Sequence, residues 1–158
     1  MSPVELSTDP RFTRRVRRLA AVSVVALGVM WLLAVGNADT DLPAAALLAV
    51  GWVTMPAVLT ASIRSPRLRL LLVVPASAVT VGLLLVARSV DLPALARTGW
   101  WSITAGVMLG GLLGVWFWYR WMPVPRPLDD PFSAGRWVLI GIHVAAITIG
   151  AVLVVIAG

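Results

Sequence analysis

Five apolar runs, each free of formal charge, constrain this chain more than any other feature. They cover about Leu19–Val35, Pro43–Ile63, Leu70–Ala87, Trp100–Tyr119 and Trp137–Ala157. A bilayer crossing needs about 20 mainly apolar residues in a helix. Inside a bilayer every backbone N–H and C=O must be satisfied within the protein, so the runs are expected to be helices. Composition excludes the soluble alternative. Apolar residues make up 59% of the 158 and charged residues 13%, which leaves too little polar surface to cover a water-soluble domain. The expected fold is all-α: a polytopic membrane protein with a basic segment over residues 1–18 and a five-helix transmembrane domain over 19–158. The basic stretch from Arg11 to Arg18 is long, the following run is not cut by a clear cleavage signal, and the first run reads as a retained span.

The segments between the runs carry the orientation signal. Arg11, Arg14, Arg15, Arg17 and Arg18 precede the first span. Arg64, Arg67 and Arg69 lie between the second and third, and Arg120, Arg126 and Arg136 between the fourth and fifth. Only Arg88 and Arg97 fall on the other side. The positive-inside rule predicts a cytoplasmic N-terminus and an external C-terminus. All thirteen basic residues are Arg and none is Lys, which points to a GC-rich genome and to a bacterial cytoplasmic membrane. The basic residues hug membrane ends and form no extended patch with stacking aromatics, so no nucleic-acid partner is expected.

Trp116–Trp137 is the longest connection and concentrates the chain's aromatic and charged residues. Trp116, Trp118, Trp121 and Trp137 read as interfacial anchors on the cytoplasmic side, and Trp100 and Trp101 as anchors on the outer side. Pro123, Pro125 and Pro127 alternate and favour an extended path. Arg120, Arg126 and Arg136, oriented by Asp129 and Asp130, form a candidate phosphate or docking surface. The plainer reading of the segment is an aromatic belt with a stiff linker.

"DLPA" occurs at Asp41–Ala44 and again at Asp91–Ala94. In each copy Asp can cap a helix with Pro just inside. The offset suggests two similar hairpins, though two independent helix starts explain it as well. After the second copy, Ala94–Arg97 reads as a short interfacial helix ended by Gly99.

Within the spans, Gly106, Gly110 and Gly114 make two overlapping G-x-x-x-G steps, a face that lets another helix approach closely. His143, the only histidine, lies about two turns into the fifth span and shares a face with Ala146 and Gly150. An ionisable residue at this depth is a candidate for proton transfer, haem ligation or quinone contact. The competing reading is a neutral imidazole bonded to a neighbouring helix. Serine and threonine hydroxyls are expected to bond back to their own helices. Pro56 and Pro75 predict kinks in spans two and three.

No Cys is present, and the seven acids all lie outside the apolar runs. Thiolate metal sites are excluded, no metal site is expected, and no catalytic residue is assigned. Three functions are carried forward. The first is a non-catalytic subunit or accessory factor of a larger membrane complex. The second is a small oligomeric transporter or lipid-handling protein. The third is a redox subunit touching haem or quinone through His143. The partners expected are the lipid bilayer and other membrane subunits or further copies of the chain.

Overall fold

The computed structural model describes residues 10–37, 40–89, 91–114 and 133–158. Five helical segments run through them, with no strand among the described residues. They are α1 (Pro10–Asn37), α2 (Leu42–Arg64), α3 (Val73–Ala87), α4 (Ala94–Val107) and α5 (Ser133–Ala157). A 3-10 helix, Pro66–Leu72, leads into α3, and a π-helix, Met108–Leu113, continues α4. Four stretches are long and apolar enough to cross a membrane: Thr13–Gly36, Leu42–Arg64, Leu68–Ala87 and Trp137–Ala157.

Local sequence explains the boundaries. Pro10 opens α1, where a missing N–H costs nothing because the first-turn donors have no helical partner. The basic stretch is therefore helical and continuous with the first apolar run, so Arg14, Arg15, Arg17 and Arg18 belong to the first crossing helix. At the end of α2, Ser65 takes an extended conformation (φ −138°, ψ 111°). A residue before proline is pushed there by the ring of Pro66. The chain resumes as a tight 3-10 turn, closed by Leu68 N–H donating to the Ser65 carbonyl at 3.1 Å.

Pro56 lies inside α2, with helix on both sides of it. Pro75 lies within the third crossing stretch, Leu68–Ala87, and stands in the first turn of α3 because the chain before it is 3-10 and not α-helical. Pro75 has no N–H to donate to the carbonyl four residues back, and the preceding turn closes by shorter bonds. The third crossing stretch also begins earlier than expected, at Leu68, and so takes in Arg69.

The "DLPA" copies start their helices in different registers. The first begins at Leu42 behind Asp41, whose backbone carbonyl accepts from Ala45 N–H at 3.1 Å while its side chain makes no cap bond. The second begins at Ala94 behind Pro93, whose carbonyl accepts from Arg97 N–H at 2.9 Å. Asp91 lies in the turn before it. α4 also corrects the expected stop at Gly99. The helix runs unbroken through that residue, which is buried.

Successive helices pack in chain order, α1 on α2, α2 on α3, α3 on α4 and α4 on α5, with the last contact the most extensive. Each pair is antiparallel. A Cβ on Gly28 of α1 would meet the Trp52 indole at 3.1 Å, and Trp31 Nε1 donates to the Ala45 carbonyl at 3.1 Å. Gly82 of α3 faces Leu48 and Ala44, whereas Gly51 faces Val79 and Pro75. The main core gathers Met30, Leu48, Val79, Leu83, Trp100 and Ile103 among others. A smaller cluster of Val16, Ala20, Leu59 and Leu72 closes the end where α1 begins and α2 ends.

Candidate functional site

The seam between α4 and α5 holds the chain's only histidine and the tightest glycine-to-backbone approach among the described residues. Gly99 and Gly150 face each other there. A Cβ on Gly99 would lie 2.7 Å from the Gly150 carbonyl oxygen, and one on Gly150 would lie 2.5 Å from that of Gly99. Real Cβ atoms do not come so close, so both positions require glycine. One turn further along, Ser102 Oγ donates to the Ala146 carbonyl at 2.8 Å. Then Gly106 meets Ile147, the His143 carbonyl and Ala146, with a Cβ placed 2.8 Å from Ile147 Cγ1.

The His143 ring lies flush against Gly110, where any Cβ would overlap it. Its Nδ1 is hydrogen-bonded to the Gly106 carbonyl. A carbonyl oxygen only accepts, so Nδ1 carries a proton. In the neutral ring the lone pair then resides on Nε2, which has no hydrogen-bond partner among the described residues. The π-helix Met108–Leu113 contains the Gly110–Gly111 pair beside this ring. An extra residue per turn widens a helix locally, and glycine tolerates the distortion.

Of the three glycines in the G-x-x-x-G pattern, Gly106 and Gly110 meet α5. Among the described residues, Gly114 meets only the Leu109 carbonyl of its own segment, at 3.6 Å. Gly111 turns the other way, with a Cβ position 3.7 Å from Ala76 Cβ on α3. Sequence spacing alone missed Gly99 in this face. It stands seven residues before Gly106, two helical turns away, which is the signal that places it there.

Trp100 departs from its expected place at the outer surface. It is fully buried within the main core, and its Nε1 has no hydrogen-bond partner among the described residues. Trp101, the next residue along α4, is 44% exposed, and Trp137 at the start of α5 is 73% exposed. Trp116, Trp118, Trp121, Arg120, Arg126, Asp129 and Asp130 lie outside the described residues, and so does the side chain of Arg136.

Two aromatic residues not singled out by sequence tie α1 to α2. The Trp31 and Trp52 rings stack with centroids 6.0 Å apart, and Trp52 Nε1 donates to the Val24 carbonyl at 2.8 Å. The buried hydroxyls of Ser62, Thr80 and Thr104 return their bonds to Leu59, Ala76 and Trp100 on their own helices. No group of three or more metal-ligating side chains occurs among the described residues.

Compared with known proteins, the chain matches no family model and resembles no curated protein or solved structure.

Proposed function

We propose that the protein is a five-span integral membrane protein of the bacterial cytoplasmic membrane, acting as a non-catalytic subunit or accessory factor of a larger membrane complex. α4 with its π-helical continuation serves as the fifth crossing, at about 30 Å for its length. The described arginines divide accordingly, with Arg14, Arg15, Arg17, Arg18, Arg64 and Arg69 at one end and Arg88 and Arg97 at the other. That asymmetry supports a cytoplasmic N-terminus and an external C-terminus.

The observation that carries the functional reading is the use made of His143. It is the one ionisable side chain well inside an apolar span, and its ring serves as a clamp between α4 and α5. The same seam takes up Gly99, Gly106 and Gly110 of the fourth helical segment and Ala146 and Gly150 of α5. The outward side of α5 keeps Trp137, Ile140, Val144, Ile149, Val152 and Val155 exposed. Such a face suits lipid or another membrane subunit.

Extraction from the native membrane in mild detergent, followed by mass spectrometry of the eluate, tests the reading. A stoichiometric membrane-protein partner is expected. A monodisperse chain that carries out a reaction alone would overturn it.

One observation favours a second reading. An imidazole that donates its Nδ1 proton to a backbone carbonyl and keeps the Nε2 lone pair has the arrangement that metal-ligating histidines take. A haem contact through His143 would need a second axial ligand from another subunit or another copy of the chain. A Soret band in the same eluate, lost in His143→Ala, would establish it, and a colourless eluate would remove it.

A further inference from the structure

The N-terminal turns of α1 carry an open groove of about 510 Å³ lined by Pro10, Thr13, Arg14, Arg17, Arg18 and Ala21. These residues recur at helical spacing and share one side of the helix. Val16 and Ala20 face elsewhere, into the small core with Leu59 and Leu72, and so hold α1 in place while the three guanidinium groups stay outside. The described acids, Asp41 and Asp91, lie at the opposite end of the bundle, so no described carboxylate neutralises this cluster.

The groove ends at Ala21, and an apolar strip of α1 follows it. Beyond Ala21 the same side continues through Val25, 67% exposed, and Leu32, 62% exposed. Three cations stacked above an apolar strip, in a helix apolar enough to cross a membrane, complement an amphiphile with a negative head and a hydrocarbon tail. Guanidinium groups bind phosphate oxygens in a planar, two-pronged geometry that ammonium groups cannot reproduce.

We infer that Arg14, Arg17 and Arg18 form a headgroup site for an anionic phospholipid, whose phosphodiester sits in the groove and whose acyl chain lies along Ala21 and Val25. This site is independent of any partner subunit. It holds whether or not the chain belongs to a larger complex.

The test uses the purified full chain in a zwitterionic detergent, titrated with phosphatidylglycerol and separately with phosphatidylcholine, with bound lipid read by native mass spectrometry. Retention of near-native helicity and melting is checked for every variant. The wild-type chain is expected to prefer phosphatidylglycerol. Replacing all three residues (Arg14→Gln, Arg17→Gln, Arg18→Gln) is expected to lower that preference roughly 100-fold, as basic residues at a membrane surface contribute individually. The corresponding triple Lys variant keeps the charge, and its preference is expected to fall several-fold through loss of the forked geometry. Arg15→Gln, on another side of the same helix, is expected to leave binding unchanged.

Equal loss in Arg15→Gln would mean diffuse surface charge and would overturn the site. So would an unchanged preference in the triple Gln variant. If that variant does not fold, an undiminished preference in the triple Lys variant overturns it. Displacement of the lipid by inorganic phosphate at matched concentration would overturn the lipid assignment and leave a soluble anion as the ligand.

Discussion

The contact between Gly99 and Gly150 shows how much a single hydrogen atom decides in a helix pair. Each residue presents its backbone to the other's carbonyl at a separation where no side chain fits. With α4 as the proposed fifth crossing, apolar burial does not drive the two helices together in lipid, and this close packing would supply much of the α4–α5 attraction. Gly150→Leu is expected to destabilise the protein by about 1–3 kcal/mol or more through overpacking. Gly141→Leu, on the same helix but with open space around its Cβ position, is expected to be neutral. Thermal melts in detergent compare the two.

His143 and Gly110 belong to the same argument. Gly110→Ala drives a methyl group into the imidazole, and His143→Ala removes both the ring and its bond to the Gly106 carbonyl. An interhelical hydrogen bond in a membrane contributes about 0.6–2 kcal/mol. The double variant should be less unstable than the sum of the two single variants, because the methyl group then occupies space the ring has left. Additive losses in unfolding titrations would mean that the two side chains do not meet. At Trp100 the expectation reverses. Its buried N–H has no acceptor among the described residues, and an unmet donor costs about 1–3 kcal/mol. Trp100→Phe is therefore expected to melt close to the wild type despite removing part of the largest fully buried side chain.

At the scale of the elements, α1 and α2 are joined by the stacked Trp31 and Trp52 and by the two indole N–H bonds they make across the interface. Trp52→Phe keeps an aromatic ring over Gly28 but removes the donor to the Val24 carbonyl. A loss of about 1 kcal/mol in unfolding free energy is expected. An unchanged value would mean that ring stacking alone joins the hairpin. The tryptophans illustrate what spacing conceals. Trp100 and Trp101 are adjacent and look alike as a membrane-surface pair, yet successive helical residues point about 100° apart. One enters the core and the other leaves it. The expected stop at Gly99 failed for a related reason. Glycine ends helices when it must turn the chain, but inside a membrane helix it also admits a neighbour, and local sequence does not distinguish the two uses.

For the whole molecule, the proposed orientation makes a clean prediction because the chain has no cysteine of its own. Ser65→Cys, in the α2–α3 connection, should be shielded from a membrane-impermeant thiol reagent in intact cells. Ser89→Cys, in the α3–α4 connection, should be labelled. The reverse pattern would refute the cytoplasmic N-terminus. Labelling of both would place the two connections on the same side, against an intervening membrane crossing.

The sequence by itself determined the class of structure. Long charge-free apolar runs require backbone bonds to close within each segment, so helices follow from the solvent before any packing is considered. It also determined the charge asymmetry of the connections and the self-bonding of Ser62, Thr80 and Thr104, since both are local, but not the bond that Ser102 makes across the seam to Ala146. Only the tertiary structure decided which face of each helix meets which neighbour. Nearly every residue in these spans is apolar, so polarity does not mark an inner face, and fit between surfaces takes over. That is why Gly99 joins the seam with α5. It is also why His143 closes on a carbonyl of α4, and why Arg14, Arg17 and Arg18 face outward while Val16 and Ala20 turn in.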